Sequence, residues 1–283
     1  MKEIIYFDNA ATTPVRPEVY EEMKPYIEKY YGNASSVYAI ARESKKAIDK
    51  AREQVASAIN AKPEEIFFTG CGSESDNWVL KGVANALKDK GNHIITTCIE
   101  HHAILHTCQF LEENGYEVTY LPVDEYGKIS IDDLLNAIRP TTILVSIMFA
   151  NNEIGTIEPI KEIGKICKEK GIYFHTDAVQ AVGHVKIDVQ DMNIDFLSLS
   201  GHKLGAPKGI GALYIRKGCK IKNLIHGGQQ ERGRRAGTEN VIGIVALGKA
   251  IELAVNEMEE TTAKLTYLRD KIIDNVLNNV EYS

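Results

Sequence analysis

A lysine stands four positions after the end of an apolar run in the second half of the chain. The run, residues 194–199, is followed by the stretch SGHK, which is Ser200, Gly201, His202 and Lys203. Lysine is almost never buried without a partner, so the ordinary interpretation of Lys203 is a surface charge. The alternative is an amine held in a pocket for chemistry, and the rest of the sequence decides between the two.

A glycine-rich turn, GCGSESDN, occupies residues 70–77 after another apolar run. Gly72 and Ser73 lead into a predicted helix, and Ser73 with Asp76 has the spacing of an acidic capping box. Backbone N–H groups at the start of a helix attract anions, phosphate above all. The turn therefore predicts either a phosphate site or an ordinary helix cap.

Three histidines follow the apolar run at residues 92–98. His101 comes just past its end, where an imidazole ring could stack on a planar ligand. His102 and His106 are four residues apart on one predicted helix face, a spacing that also suits metal. No Glu or Cys stands at the offset of a zincin-type site, so we expect exposed histidines there and no bound metal.

Polar residues also end two further runs. Asn152 follows residues 141–149, where it could bond a ligand oxygen or simply form a turn. Asp177 follows residues 172–176, and Gln180 comes three positions later. Because an unpaired buried carboxylate is costly, Asp177 either caps a helix or pairs with a cation such as a protonated ring nitrogen.

The elements that position these residues alternate along the chain. Near-continuous apolar runs such as TILVSIMF suit a parallel sheet covered on both faces, and strands joined by crossover helices indicate an α/β fold. The predicted strands are residues 65–69, 92–98, 116–120, 141–149, 172–176, 194–199 and 211–216. The predicted helices are residues 17–30, 42–59, 76–87, 102–113, 160–170 and 241–278.

Length, composition and charge exclude several classes of protein. The chain has 283 residues, 44% hydrophobic and 25% charged, and its net charge of −6 gives no sign of a nucleic-acid partner. No apolar run approaches the ~18 residues of a membrane span, and the N-terminus lacks the layout of a signal peptide. Five scattered cysteines argue against a disulfide framework. We expect a reduced, cytoplasmic, soluble protein.

The polar residues singled out above share one location, the carboxyl ends of predicted strands, where open α/β sheets bind ligands. Together they supply an anion cradle, a ring for stacking, a carboxylate, amides and an amine. Those are the groups that pyridoxal 5′-phosphate (PLP) requires: a Schiff-base lysine, an aspartate for the pyridine nitrogen, and phosphate anchors. Lys203 is then an amine whose pKa is lowered by its surroundings and not a surface charge.

With these motifs the sequence resembles the cysteine desulfurases of the NifS/IscS type, which are class-V aminotransferases of fold type I. The matching stretches run in order from residue 6 to residue 240, and they are YFDNAATTP, YGNASS, GSESDN, EHHA, SIMFANNEIGTI, FHTDAVQAVG, SGHKLGAPKGIGALYIR and HGGQQERGRRAGTEN.

The resemblance implies a role for each candidate residue. Lys203 would bond the cofactor and shuttle a proton, Asp177 would pair with the pyridine nitrogen, and His101 would stack on the ring as an acid or base. The other implied PLP contacts are Gly72, Ser73, Asn152, Gln180, Ser200, His202 and, from the second subunit of a homodimer, Thr238. Arg235 would lie near that dimer interface.

The resemblance also implies the reaction. L-Cysteine would give up its sulfur to an enzyme thiolate as a persulfide and leave as L-alanine, and a scaffold or acceptor protein would receive the sulfur for iron–sulfur cluster assembly. The alternatives are a selenocysteine lyase, another PLP-dependent lyase or transferase, or a PLP-binding or partner-binding module without catalysis.

One departure from the family pattern concerns the end of the chain. In the family, the nucleophilic cysteine and the arginine that binds the substrate carboxylate lie on a C-terminal domain, beyond the position of residue 283. We therefore expect an N-terminal segment at 1–15 that contributes to the small domain, a PLP-binding large domain at 16–240 and a linker helix at 241–283. The small domain would be missing and sulfur transfer impaired.

Overall fold

The computed structural model describes residues 5–282 and contains one seven-stranded sheet. The strands are β1 (Ile66–Thr69), β2 (His93–Thr97), β3 (Glu117–Leu121), β4 (Thr142–Ser146), β5 (Tyr173–Asp177), β6 (Phe196–Ser200) and β7 (Gly211–Ile215). Their order is β1-β7-β6-β5-β4-β2-β3. Strand β7 is antiparallel to both of its neighbours, and the other pairings are parallel. The predicted α/β class and mostly parallel sheet are confirmed.

Helices cover both faces of the sheet, because successive strand residues point to opposite sides. Phe67 packs edge-on against Trp78 on one face, whereas Phe68 belongs to the core on the other face. The helices are α1 (Pro17–Glu28), α2 (Ala39–Ala58), α3 (Gly72–Leu87), α4 (His102–Glu113), α5 (Ile131–Ala137), α6 (Ile160–Lys170), α7 (Gln230–Gly233), α8 (Val241–Asn256) and α9 (Met258–Asn279). Helices α3 and α4 pack in the core on the Phe67 face of the sheet. Helices α2, α6 and α8 pack in the core on the Phe68 face.

Strand β4 is shorter than predicted. The prediction extended the strand through residue 149, but β4 ends at Ser146. The chain beyond it stays buried and follows β5, with the Ile147 N–H bonded to the His175 carbonyl and the Phe149 N–H bonded to the Asp177 carbonyl. A continuous apolar run in the sequence therefore predicts which residues are buried, but it does not predict where the regular hydrogen bonding of the strand ends.

The prediction of one long helix at residues 241–278 was wrong. Helix α8 ends at Asn256 and α9 begins at Met258, with Glu257 between them. The Glu257 carboxylate accepts two hydrogen bonds from Arg16, at 2.8 and 2.9 Å. Because its partner is 241 positions away, this junction leaves no signal in the local helical pattern. Residues 1–4 and 283, at the outer ends of the two predicted terminal segments, lie outside the described residues.

No helix within residues 5–282 combines the length and apolar character needed to cross a bilayer.

A buried ion pair anchors α7, in the segment that carries Arg232, Arg234 and Arg235, to the start of the sheet. Arg52 donates to both carboxylate oxygens of Glu231 at 2.7 Å, and the side chains are only 7% and 3% exposed. One Glu231 oxygen also accepts the Phe68 N–H at 2.9 Å, and Arg52 donates to the Ile66 carbonyl. These bonds hold Glu231 in a left-handed backbone conformation, with φ of 46°, which is unusual for a residue other than glycine.

Replacing Glu231 with alanine tests this anchor. The change leaves the Arg52 charge buried without a partner, so we expect the free energy of unfolding to fall by about 3–5 kcal/mol. Urea denaturation measures it. Glu117→Ala is the matched control, because Glu117 pairs with Arg139 at the exposed surface and its loss should cost less than about 1 kcal/mol. If both variants lost the same small amount of unfolding free energy, the Arg52–Glu231 pair would not be an important anchor.

Candidate functional site

A cavity of about 660 Å³ opens at the edge of the sheet where β2, β4, β5 and β6 end. Every site residue predicted from the sequence lines this cavity except Thr238. The lining residues from that prediction are Gly72, Ser73, His101, Asn152, Asp177, Gln180, Ser200, His202 and Lys203. The parallel arrangement explains the grouping, because the carboxyl ends of neighbouring parallel strands meet at one edge.

Thr238 lies elsewhere on the same chain. It lines a separate recess of about 160 Å³ between the end of β1 and the start of α8, together with Arg235 and Asn240. Within one chain, Thr238 is therefore not brought together with the other predicted residues.

Lys203 reaches the cavity from a short 3-10 turn, Gly201–Lys203, that follows β6 directly. Its half-buried ammonium donates to the Ala11 carbonyl at 2.9 Å and also to the Ala10 carbonyl. Burial lowers the pKa of Lys203, and the carboxylates of Asp8 and Asp177 oppose that shift. The amine is thus closer to its neutral, nucleophilic form than an exposed lysine is.

Asp177 is the last residue of β5 and is only 6% exposed. Its Oδ1 atom accepts the Val179 N–H at 2.9 Å. Burial raises the pKa of Asp177, while that hydrogen bond and the nearby His101 and Lys203 oppose the shift. A desolvated carboxyl group on the cavity wall is suited to a cationic partner.

His101 precedes α4 and caps it. Its Nδ1 atom accepts the Ala103 N–H at 3.1 Å, so a neutral imidazole carries its proton on Nε2. The ring is exposed at the mouth of the cavity.

The predicted capping box of Ser73 and Asp76 is wrong. Helix α3 begins at Gly72, so Ser73 lies inside its first turn, and the preceding Cys71 makes no side-chain cap. Glu74 instead accepts the Gly70 N–H at 2.7 Å and pairs with Arg235. The start of α3 on the cavity wall therefore has no side-chain cap, a feature that attracts an anion.

Gly72 allows close packing at this helix start. A Cβ atom at Gly72 would lie 2.7 Å from the Cγ2 atom of Val179, which is too close for an ordinary contact. Any larger residue would require the Val179 side chain or the start of α3 to shift.

The N-terminal segment closes one side of the cavity, and its individual residues were not predicted as site residues. Asp8, Ala10 and Ala11 line the cavity. The Ala10 carbonyl accepts a bond from Gln180 at 2.9 Å, and His202 Nδ1 lies 3.1 Å from the Thr12 hydroxyl. The only sequence signal for these residues is the matching stretch YFDNAATTP.

Glu100 is a second residue that the sequence reasoning missed. It is 5% exposed, and its Oε1 atom accepts the Thr97 hydroxyl at 2.8 Å and the Met148 N–H at 2.9 Å. Burial raises the pKa of Glu100 to about 8, with a further contribution from the Asp177 charge. The carboxyl group is therefore mostly neutral at pH 7.

One cysteine of the described chain lines the cavity, the exposed Cys71. Burial raises the pKa values of Cys108 and Cys219 to about 12 and also raises that of Cys167, so these thiols are poor nucleophiles. Cys98 is exposed but stands away from the cavity wall.

The metal alternative at His102 and His106 lacks a complete ligand set. The two rings stack with centroids 5.0 Å apart. Over residues 5–282, no further His, Cys, Asp or Glu forms a group of three with them.

Comparisons with known proteins place this site in context. The family model described as aminotransferase class-V matches residues 5–282. The cysteine desulfurase IscS of Clostridium botulinum strain Hall is 64% identical over 273 residues, which are 96% of this chain and 69% of the relative.

Two solved structures are similar to this one. A NifS-like protein aligns with a TM-score of 0.95 and 44% identity, over 97% of this chain and 76% of the other. A structure described as SspA in complex with cysteine aligns with a TM-score of 0.86 and 48% identity, over 88% and 72%.

The buried Glu100 predicts a pH-dependent stability. The folded chain keeps this proton up to about pH 8, whereas the unfolded chain releases it near 4.5. Glu100 thus makes the free energy of unfolding fall as pH rises between those values, by about 1.4 kcal/mol per pH unit. Glu100→Gln should flatten that slope in urea denaturation, and the exposed Glu125→Gln should not. Parallel curves for wild type and Glu100→Gln would contradict the expectation.

Proposed function

Because the chain belongs to the aminotransferase class-V family, we propose that it functions in PLP-dependent cysteine desulfuration, the removal of sulfur from L-cysteine that leaves L-alanine. The enzymes of this family use PLP. The observation that carries the proposal is that the Lys203 amine and the Asp177 carboxyl group line the same cavity, from the ends of adjacent strands. The similarity to a cysteine desulfurase and to a protein solved with cysteine supports this substrate.

The residues present fit PLP. Asp177 is a buried carboxyl group that forms no ion pair within the described chain. A protonated pyridine nitrogen would supply the positive charge for one. The uncapped start of α3 fits a phosphate group. Lys203 offers an amine whose pKa burial has lowered, which suits it to bond an aldehyde.

Each residue that the sequence predicted and that lines the cavity then has a part in holding the cofactor. Lys203 would bond the aldehyde carbon, Asp177 would bond the ring nitrogen, and His101 would lie against the ring. The remaining polar contacts would come from Gly72, Ser73, Asn152, Gln180, Ser200 and His202. When bound, PLP supplies an electron sink for negative charge that develops on the substrate.

The chain's own groups move the protons. As a free amine, Lys203 would accept a proton at Nζ from the substrate Cα and return it. In the structure, this amine donates hydrogen bonds to the carbonyls of Ala10 and Ala11, and it must break them before it can reach the substrate. The N-terminal segment therefore sets the resting position of the amine. His101 exchanges a proton through Nε2, because its Nδ1 is engaged by the Ala103 N–H.

Of the groups that the reaction needs, the thiolate that accepts the sulfur is the one for which the described residues offer the fewest candidates. Cys71 is the one cysteine on the cavity wall among residues 5–282, and it does not match the family's nucleophile. We therefore assign substrate binding and proton transfer to the described residues and the final sulfur acceptance to a thiol outside them. An iron–sulfur scaffold or another acceptor protein is the proposed recipient.

Replacing Lys203 tests the proposal. The wild-type chain mixed with PLP should show the visible absorption band of lysine-bound cofactor, and L-cysteine should shift that band. Lys203→Ala should show only the spectrum of free PLP. Lys208→Ala is the matched control, because Lys208 is an exposed lysine five positions away. A band that persists in Lys203→Ala and disappears in Lys208→Ala would overturn the assignment.

We further propose that the chain works as a homodimer in which Thr238 completes the cavity of the partner. Thr238 lies in a separate recess of its own chain, and this separation from the main cavity supports a contact with the phosphate of the partner's cavity across an interface. The loop before it is held firmly, because Arg235 pairs with Glu74 at 2.8 Å and 3.1 Å.

Mixing two inactive variants tests this arrangement. In a dimer of Lys203→Ala with Thr238→Ala, one cavity regains both Lys203 and a Thr238 supplied by the other chain. We expect tight PLP binding to return in that mixed dimer, in one of its two cavities, which is about a quarter of all cavities in an equal mixture that re-pairs at random. If Thr238 acts within its own chain, neither cavity of the mixed dimer is complete and no binding returns. The separately purified variants are the controls.

A further inference from the structure

Asp76 lies beside Asp177 at the floor of the cavity, and the proposed function gives it no role. It belongs to α3, just beyond the first turn of that helix, and is 1% exposed. A carboxylate oxygen of Asp76, one of Asp177 and a ring nitrogen of His101 all lie within 4.8 Å of one another. Two buried carboxyl groups so close together cannot both ionise, so the pair retains one proton near neutral pH.

The surroundings of Asp177 favour its ionised form. Its Oδ1 accepts the Val179 N–H, and the His101 ring and the Lys203 ammonium lie on the same cavity wall. Each of these groups stabilises a negative charge on Asp177.

The surroundings of Asp76 favour its neutral form. Its Oδ1 has no hydrogen-bond partner within the described chain, and only the Ser198 hydroxyl favours its anion. Burial raises the pKa of Asp76 well above its usual value, and the charge of Asp177 raises it further, with smaller contributions from Glu100 and Cys71.

The nearest nitrogen supplies no compensating charge. His175 Nε2 lies 3.6 Å from Asp76 Oδ1, but burial lowers the pKa of His175 to about 3. Its two ring nitrogens lie 2.8 Å from the Ser146 hydroxyl and 3.0 Å from the Ser198 hydroxyl. These hydrogen-bonded side chains next to Asp76 are buried and neutral, so they supply no positive charge that could stabilise an Asp76 anion.

We propose that Asp76 holds the proton of this carboxyl pair and is a positioning residue, which keeps Asp177 as the ionised member that faces the cofactor's ring nitrogen. Because Asp76 is neutral, no second negative charge stands next to Asp177 to oppose its ionisation. The identity of the group that Asp177 faces rests on the proposed function, whereas the location of the proton does not.

Infrared spectroscopy of the chain without PLP locates the proton directly, because a neutral carboxyl group has its own C=O stretching band. At pH 7, Asp76→Asn should lose one component of that band, and Asp177→Asn should keep it. Glu100→Gln should lose a different component, since Glu100 is also neutral. The exposed Asp89→Asn is the control for the substitution itself and should match wild type.

Loss of the component in Asp177→Asn with retention in Asp76→Asn would overturn the inference, as would an unchanged band in Asp76→Asn. If Asp76→Asn fails to fold, wild-type chain with ¹³C in its aspartate carboxyls must still show an isotope-shifted neutral band at pH 7, and its absence would overturn the inference. A failure of PLP to bind would refute the proposed function but leave the infrared result intact.

Discussion

The removal of carboxyl groups from water at one edge of the sheet is the constraint on which the site depends. Asp76, Glu100 and Asp177 are each at least 94% buried, and the nearby cation, Lys203, is itself partly desolvated. Three negative charges there would repel one another at low dielectric. The region is stable only if some carboxyl groups stay neutral and a remaining anion finds a cation, and a protonated pyridine ring is such a partner.

The architecture follows from the need to bring these groups together. Parallel strands β5 and β6 end side by side, so Asp177 and the turn carrying Lys203 meet without a long connection. The uncapped start of α3 lies on the same wall. The N-terminal segment then closes the site through the carbonyls of Ala10 and Ala11, and the buried ion pair of Arg52 with Glu231 holds the loop that leads to Thr238.

Much of this arrangement was predictable because the sheet places strand ends together. A polar residue after an apolar run, as at Asp177 or Lys203, marks a strand end wherever the partner strands lie. Features that depend on distant contacts were not predictable. The break between α8 and α9 falls at Glu257, which pairs with the distant Arg16, and the Gly70 turn is bonded by Glu74 and not by a Ser73–Asp76 box. The burial of Glu100 and Asp76 could not be predicted, because burial of an acid is a property of the fold.

The most direct test of the account is to find which residue bonds the cofactor. The chain is incubated with PLP, reduced with borohydride, digested, and its peptides are weighed by mass spectrometry. The account predicts that the mass of reduced PLP appears on the peptide containing Lys203 and on no other lysine in stoichiometric amount. Modification spread over surface lysines, or confined to a lysine outside the cavity, would contradict it.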